Sequence, residues 1–138
     1  MNSFHLCILA SDRPFYDGGC VSLSIPTDDG IYGVQANHHN MIAAIISGTV
    51  SFRIEEDAEM QYAAVSQGIM KVEDNDVLIL VDTAERPEEI DEKRAMLDAQ
   101  EAKEELLKER SINEYREAQA RLARALTRLK TKGKTGIN

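Results

Sequence analysis

The chain has 138 residues, of which 43% are hydrophobic and 29% charged, as expected for one folded domain or a domain with an appendage. Its net charge of −8 argues against nucleic acid as the main partner, because a phosphate-binding surface needs an excess of Lys and Arg. No segment reaches the roughly 20 apolar residues needed to cross a bilayer, and the start lacks a secretory signal pattern. We therefore expect a cytoplasmic protein without direct membrane insertion.

Residues 1–86 consist of short apolar runs separated by turn residues, a pattern typical of an antiparallel sandwich or barrel, and we predict an antiparallel β-sandwich. Cys7 and Cys20 lie here without C-x-x-C spacing, which indicates buried apolar side chains, with a disulfide or metal role as the alternative. The run 41–46 is continuously apolar, so we expect that strand to be covered on both faces. Strands are predicted at 4–9, 21–25, 41–46, 50–54, 60–65, 69–72 and 77–81, with turns at 17–19, 28–30, 47–48, 55–57 and 73–76.

Residues 87–138 are densely charged and nearly free of Gly and Pro, which predicts a two-helix antiparallel hairpin. Pro87 followed by Glu88 and Glu89 suits a helix start. We expect helices at about 88–108 and 113–130, a turn between them and a frayed tail from 131. Helical spacing places two Ala-rich stripes face to face: Ala95, Ala99, Ala102 and Leu106 on the first helix, and Tyr115, Ala118, Leu122, Ala125 and Leu129 on the second.

Alanine side chains bury little apolar area, so at about 25 cal/mol per Å² this seam contributes only a few kcal/mol before ordering entropy is subtracted. The hairpin is therefore predicted to be marginally stable and able to open. The alternative is a plain helical appendage.

Four motifs in order along the chain resemble the ε subunits of F-type ATP synthases. They are Phe15-Tyr16-Asp17-Gly18, the loop Gly30-Ile31-Tyr32-Gly33-Val34-Gln35-Ala36-Asn37-His38, Gly68-Ile69-Met70-Lys71-Val72, and the I-D-x-x-R-A signature formed by Ile90, Asp91, Arg94 and Ala95. The loop departs from the family pattern because Ala36 and Asn37 replace a Pro-Gly pair and Asn40 replaces a second proline, which predicts a looser turn.

The resemblance implies a non-catalytic rotor subunit at the cytoplasmic face of the bacterial cell membrane, held there by other subunits. Its β-domain would bind the γ subunit and rest on the c-ring. Its hairpin would have a folded state and an extended state, the latter reaching the catalytic α and β subunits and inhibiting ATP hydrolysis. By the same resemblance, the c-ring contact would involve Gly30, Ile31, Gly33, His38 and Met41. Ile31 stands where the family is often acidic, so this contact is expected to be less polar.

Some family members bind ATP between the folded helices, which implies ATP as a regulatory ligand here, with no required cofactor and no metal. The matching residues are Ile90, Asp91, Arg94, Ala95, Arg124 and Arg128, whereas Glu101 stands where such binders carry another arginine. Arg124 and Arg128 lie four apart on one helical face with Arg121 three before Arg124, so with Arg94 they would clamp a triphosphate while Asp91 accepts from an adenine amino group. Alternatively, an acidic first helix and a basic second helix simply pair.

Two other functions are compatible with parts of the sequence. Asp28, Asp29, His38 and His39 suggest an enzyme site, but adjacent histidines on extended backbone point to opposite sides and chelate poorly. The chain has no phosphate-binding loop, nucleophile motif or dinucleotide fingerprint, so we expect no catalysis. The second rival is a generic adaptor whose β-domain and hairpin bind different partners.

Overall fold

The computed structural model describes residues 2–108 and 111–135, within which ten strands precede two α-helices. The strands are β1 Phe4–Ala10, β2 Pro14–Cys20, β3 Ser22–Thr27, β4 Gly30–Val34, β5 Met41–Ile45, β6 Gly48–Arg53, β7 Gln61–Val65, β8 Gly68–Glu73, β9 Asp76–Val81 and β10 Ala84–Glu85. A 3₁₀ turn at Pro87–Glu89 precedes α1 (Glu92–Leu106), and α2 spans Ile112–Thr135.

The strands form two five-stranded sheets. Sheet A has the order β2-β1-β9-β8-β5, and sheet B has the order β10-β7-β6-β3-β4. Neighbouring strands pair antiparallel, except that β1 pairs parallel with β9. The predicted fold class, a β-sandwich followed by a two-helix hairpin, is confirmed, and the parallel pairing is a departure from the all-antiparallel expectation.

The core lies between the two sheets, because alternate side chains of each strand point inward. Leu6 and Ile79 of sheet A and Phe52 of sheet B are completely buried. Burying one such side chain contributes about 1.5–3 kcal/mol. Cys20 belongs to this core and burial raises the pKa of its thiol, whereas Cys7 is only half-buried, so the prediction of burial holds for Cys20 and is wrong for Cys7.

The turn predicted at 17–19 is wrong, because Asp17, Gly18 and Gly19 lie inside β2 and pair with β1. The glycines allow a close approach rather than a turn. A Cβ on Gly18 would lie 2.9 Å from the Tyr16 hydroxyl, which donates to the Gly19 carbonyl at 2.5 Å.

The prediction that the apolar run 41–46 is covered on both faces is also wrong. β5 is the outermost strand of sheet A, and Ile42 and Ala44 are exposed on its outer face, with Ile42 at 70%. Only the opposite face, carrying Ile45, joins the core. β5 therefore has apolar side chains on both of its faces, but the described residues of this chain cover only one of these faces.

The helix boundaries differ from the predicted ones at both ends of the hairpin. α1 begins at Glu92 because Asp91 caps it, its Oδ1 accepting from the Arg94 backbone N–H at 3.1 Å. α2 continues to Thr135, so the tail predicted to fray from 131 is helical over 131–135. Residues 109–110 of the predicted turn and 136–138 of the tail lie outside the described residues.

The hairpin packs on sheet B through the second half of α2. Thr131 is fully buried and its hydroxyl hydrogen-bonds the Thr49 hydroxyl of β6 at 2.8 Å. The Lys132 ammonium donates to the Pro87 carbonyl at 3.2 Å, and that of Lys134 lies 5.2 Å from the Tyr62 ring centroid. These contacts place the start of α1 beside the end of α2.

Candidate functional site

The seam between α1 and α2 has the predicted composition. Ala95, Ala99 and Ala102 are buried against a stripe that contains buried Ala118 and Ala125. Leu106, Leu122 and Leu129 are half-buried, and Tyr115 is exposed near the start of α2, at the end of the hairpin where α1 leads into α2. The helices therefore approach closely over small side chains, and the buried area per residue is low.

One side of the seam carries most of the predicted nucleotide residues. Ile90 and Ala95 are buried and shape its floor, while Asp91 is exposed and serves as the helix cap. Arg94 lies one helical turn before Asp98 on α1, and Arg124 lies one turn before Arg128 on α2. The contact between Arg121 and Asp98 sets the register of the antiparallel helices, so Arg94, one turn before Asp98, and Arg124, about one turn after Arg121, lie in the same part of the hairpin.

The arginines of α2 differ in how far their charge is already compensated. Arg128 makes a two-bond ion pair with Glu85 of β10, with Nε–Oε1 at 2.8 Å and Nη2–Oε2 at 3.2 Å, and both side chains are more than two-thirds buried. We call this pair the Arg128–Glu85 clip. It joins α2 directly to sheet B.

Arg121 lies between two carboxylates of α1. Its Nη2 is 2.5 Å from Glu101 and 3.3 Å from Asp98. The hydrogen bond to Glu101, followed by that to Asp98, raises the pKa of the Arg121 guanidinium above its usual value. Glu101 thus neutralises an arginine of this chain, which fits the expected pairing of acidic and basic helices.

Arg94 and Arg124 are exposed, and their side chains form no ion pair with the described residues. They are therefore the two members of the predicted nucleotide set whose charge is available to an anion. The sequence did not identify Glu85 and Asp98 as the carboxylates that pair with Arg128 and Arg121. The available signal was that both side chains are acidic and could pair with the basic second helix.

The residues predicted to contact a c-ring lie along one lateral edge of the sandwich. Gly30, Ile31 and Gly33 are in β4, the outermost strand of sheet B, and Met41 begins β5, the outermost strand of sheet A. His38 lies in the connection between these two strands. Ile31 is 81% exposed, so this edge presents an apolar side chain to solvent.

The connection is held by hydrogen bonds in place of the missing prolines. The Asn37 backbone N–H donates to Asn75 Oδ1 at 2.7 Å, and Asn40 Oδ1 accepts from the Asp74 N–H at 2.9 Å. Asn37 adopts φ 63°, a left-handed conformation that Asn tolerates better than most residues and that suits the glycine of the family motif. His38 Nδ1 donates to the His39 carbonyl at 2.8 Å, and its Nε2 accepts from the Tyr32 hydroxyl at 2.6 Å.

The two adjacent histidines do not diverge as predicted. Their rings stack with centroids 4.3 Å apart and planes inclined by 27°, because the connection is not a regular strand there. Across residues 2–108 and 111–135, no group of three or more His, Cys, Asp or Glu side chains could hold a metal ion.

The outer face of sheet A is apolar across four strands. Leu9, Leu80, Ile69 and Ala44 are successive register partners, and the next row contains Cys7, Leu78, Lys71 and Ile42. We call these eight residues the sheet A face. Ile42, Ile69 and Leu80 are 70%, 44% and 39% exposed. The hairpin packs on sheet B, which leaves this face open, and a contiguous exposed apolar surface is typical of a docking site.

Two protein-family models match successive parts of the chain. Residues 3–87 match the model "ATP synthase, Delta/Epsilon chain, beta-sandwich domain", and residues 88–133 match "ATP synthase, Delta/Epsilon chain, long alpha-helix domain". The fold is thus that of a two-part delta/epsilon chain.

Individual similar proteins show which kind of delta/epsilon chain this is. The ATP synthase epsilon chain of Caldicellulosiruptor bescii is 36% identical over 130 residues, covering 94% of this chain and 93% of that protein. The one from Ruminiclostridium cellulolyticum is 37% identical over 129 residues, covering 94% and 95%. The chain belongs to the family of ATP synthase epsilon chains, which makes it a subunit of ATP synthase.

Solved structures share the fold. A chain in the Euglena gracilis mitochondrial ATP synthase structure superposes with a TM-score of 0.81 at 18% identity, covering all of this chain and 83% of that chain. A chain of the Tetrahymena thermophila central stalk/c-ring structure gives 0.64 at 15% identity, covering 93% and 95%. In the described parts of the chain, neither helix is both long and apolar enough to traverse a membrane.

Proposed function

We propose that this chain is a non-catalytic central-stalk subunit that binds the γ subunit through the sheet A face. The observation that carries this is the uncovered apolar row Leu9, Leu80, Ile69 and Ala44. A β-sheet face with this composition is normally covered by another layer, and this chain's own hairpin covers the other sheet. A second subunit would supply the missing layer.

The β4–β5 edge would rest on the c-ring. Edge strands with exposed apolar side chains are unfavourable in water unless a partner covers them. Ile31 at this edge and Ile42 at the border of the sheet A face point to opposite sides of the sandwich. One subunit therefore binds at the edge while another covers the face. This arrangement suits a peripheral protein on the cytoplasmic side of a bacterial membrane that joins γ to the ring.

The hairpin would be the regulatory part. In the docked state α2 is joined to sheet B by the Arg128–Glu85 clip and by Thr131, while the seam itself has only small side chains. Two packings that differ by a few kcal/mol are what a two-state element requires. Release of these contacts would allow the helices to extend toward the α and β subunits and inhibit ATP hydrolysis.

ATP would stabilise the docked state. Arg94 and Arg124 carry uncompensated charge at the same part of the hairpin, and Asp91 retains a second carboxylate oxygen beside its capping bond. Arg128 would have to exchange Glu85 for a phosphate oxygen, and Glu101 holds Arg121 away from the ligand. We therefore expect binding through two arginines, weaker than with the full cationic set.

Copurification with γ and the c-ring tests the rotor role. The chain should be retained by immobilised γ, and Leu80→Glu should abolish retention because it places a charge in the centre of the sheet A face. Met96→Glu is the matched control, since Met96 is 57% exposed on α1, away from that face. Equal loss in both variants, or retention by an unrelated protein in place of γ, would contradict the proposal and favour a generic adaptor.

Calorimetric titration with ATP tests the nucleotide site. Saturable binding should disappear in Asp91→Ala and Arg124→Ala and persist in Arg116→Ala, an exposed arginine in the first half of α2. Absence of binding by the unmodified chain at millimolar ATP would refute ATP sensing and leave the γ contact untouched.

A further inference from the structure

A cavity of about 400 Å³ lies between α2 and the outer face of sheet B. It opens where β3 and β6 separate. Their register covers only three pairs, ending at Ser24 and Ser51, because Pro26 offers no N–H to extend the ladder. Gly48 forms part of the floor, since a Cβ there would lie 2.7 Å from the Pro26 Cβ.

The lining combines two ammonium groups, several hydroxyls and four apolar side chains. Lys130 and Lys134 are four apart on α2 and therefore face the cavity together. The hydroxyls are those of Thr27, Ser47, Thr49, Ser51 and Thr127, and the apolar side chains are Pro26, Ile31, Ile46 and Leu126. No Asp or Glu is among the lining residues.

The part of α2 that follows Glu117 is positively charged, whereas the whole chain is negatively charged. After Glu117 the described helix contains six cationic residues and no acid, whereas the whole chain has a net charge of −8. Arg121 and Arg128 are neutralised by carboxylates, but Lys130 makes no ion pair with the described residues. The Lys134 ammonium lies over the Tyr62 ring and makes no ion pair with residues 2–108 and 111–135, which leaves its charge uncompensated there.

We propose that this cavity binds a phosphate group attached to an apolar body. Lys130 and Lys134 supply charge-assisted hydrogen bonds to the phosphate, and the hydroxyls of Ser47, Ser51 and Thr127 supply further donors. Leu126 and Ile46, which are 44% and 38% exposed, contact the apolar part. The volume lies within the range of about 300–1,000 Å³ that is usual for small-molecule sites.

The cavity is separate from the predicted nucleotide residues. Arg128 points to Glu85 of β10, at one edge of sheet B, whereas the cavity adjoins β4 at the other edge. A phospholipid headgroup and a free phosphorylated metabolite share the required chemistry. The neighbouring β4–β5 edge is the proposed c-ring contact, so either ligand would be sensed beside the ring.

The test uses the full chain and two probes. Inorganic phosphate is titrated while backbone amide NMR shifts are followed, and vesicles of phosphatidylcholine with one-fifth phosphatidylglycerol are titrated in a sedimentation assay. The variant is Lys130→Ala with Lys134→Ala. The matched control is Lys93→Ala with Lys103→Ala, which removes the same charge from α1, outside the cavity.

Phosphate should shift the amides around Gly48 and Thr127, and the cavity variant should weaken binding at least about tenfold while the control changes it less than twofold. Saturation by phosphate alone identifies a soluble ligand. Binding only to anionic vesicles, reduced by Leu126→Gln, identifies a lipid headgroup. Equal weakening in variant and control would show nonspecific attraction and overturn the proposal, as would absence of binding to both probes.

Discussion

The Arg128–Glu85 clip should determine how readily the hairpin leaves sheet B. Arg128→Gln removes the charge and one hydrogen-bond fork while keeping a side chain of similar length. Both partners are more than two-thirds buried, so the pair is stronger than an exposed ion pair. Two charge-assisted hydrogen bonds in this setting predict a loss of about 1–2 kcal/mol in the opening free energy of the hairpin.

Native-state hydrogen exchange measures this opening directly, because amides of α2 exchange through it while core amides exchange through global unfolding. The loss corresponds to about 5–30-fold faster exchange in α2. Exchange of the β6 and β9 amides should remain unchanged. Arg124→Gln is the matched control and should have no effect without ATP.

A double-mutant cycle with Glu85→Gln isolates the pair. The coupling energy should be about 1–2 kcal/mol, since each single variant already removes the interaction. Acceleration of α2 and core amides together would mean that the hairpin and the sandwich unfold as one unit. That result would refute the reasoning, and so would a coupling energy near zero.

Three further results are expected from the same contacts. Ala102→Leu inserts a larger side chain into the fully buried seam, so calorimetry should show the hairpin destabilised by about 1–3 kcal/mol. Gly68→Ala should lower the global unfolding midpoint in urea, because its Cβ would lie 2.0 Å from the Leu80 carbonyl oxygen. Hydrogen bonds to carboxylates, that of Asp76 first, raise the pKa of His5. Its stabilisation is therefore fully present below the unfolded-state pKa and is lost as pH rises through the folded-state pKa. In denaturant titrations His5→Gln should destabilise the protein more below the unfolded-state pKa of about 6.5 than at alkaline pH; the opposite pH order would contradict this linkage.

Alternation of apolar side chains was sufficient to predict the sandwich, because inward positions such as Leu23 and Ile25 recur at period two. It failed at Gly18, where a glycine was interpreted as a turn although tertiary pairing with β1 places it in a strand. It failed again at Ile42. A continuous apolar run indicates cover on both faces, and sequence alone does not say that the described chain supplies only one of the two covering layers.

The hairpin seam was predictable because alanines that repeat at helical spacing in a highly charged segment indicate a helix face that packs closely against another helix. Its contacts with the sandwich were not. Thr131 looked like part of a frayed tail, since a hydroxyl gives no signal of burial until Thr49 is brought within hydrogen-bond distance. The partner of Arg128 was likewise hidden, because Glu85 lies 43 residues away along the chain.

The ATP hydrolysis rate of the α, β and γ assembly, measured with and without this chain, is the most direct test of the account. The chain should bind γ and lower the rate, and Arg128→Gln should lower it further because the hairpin opens more readily. If neither the unmodified chain nor the Arg128→Gln variant changed the ATP hydrolysis rate although both bound γ, the regulatory role would be contradicted. Stronger inhibition by the unmodified chain than by the variant would contradict the link between opening of the hairpin and inhibition.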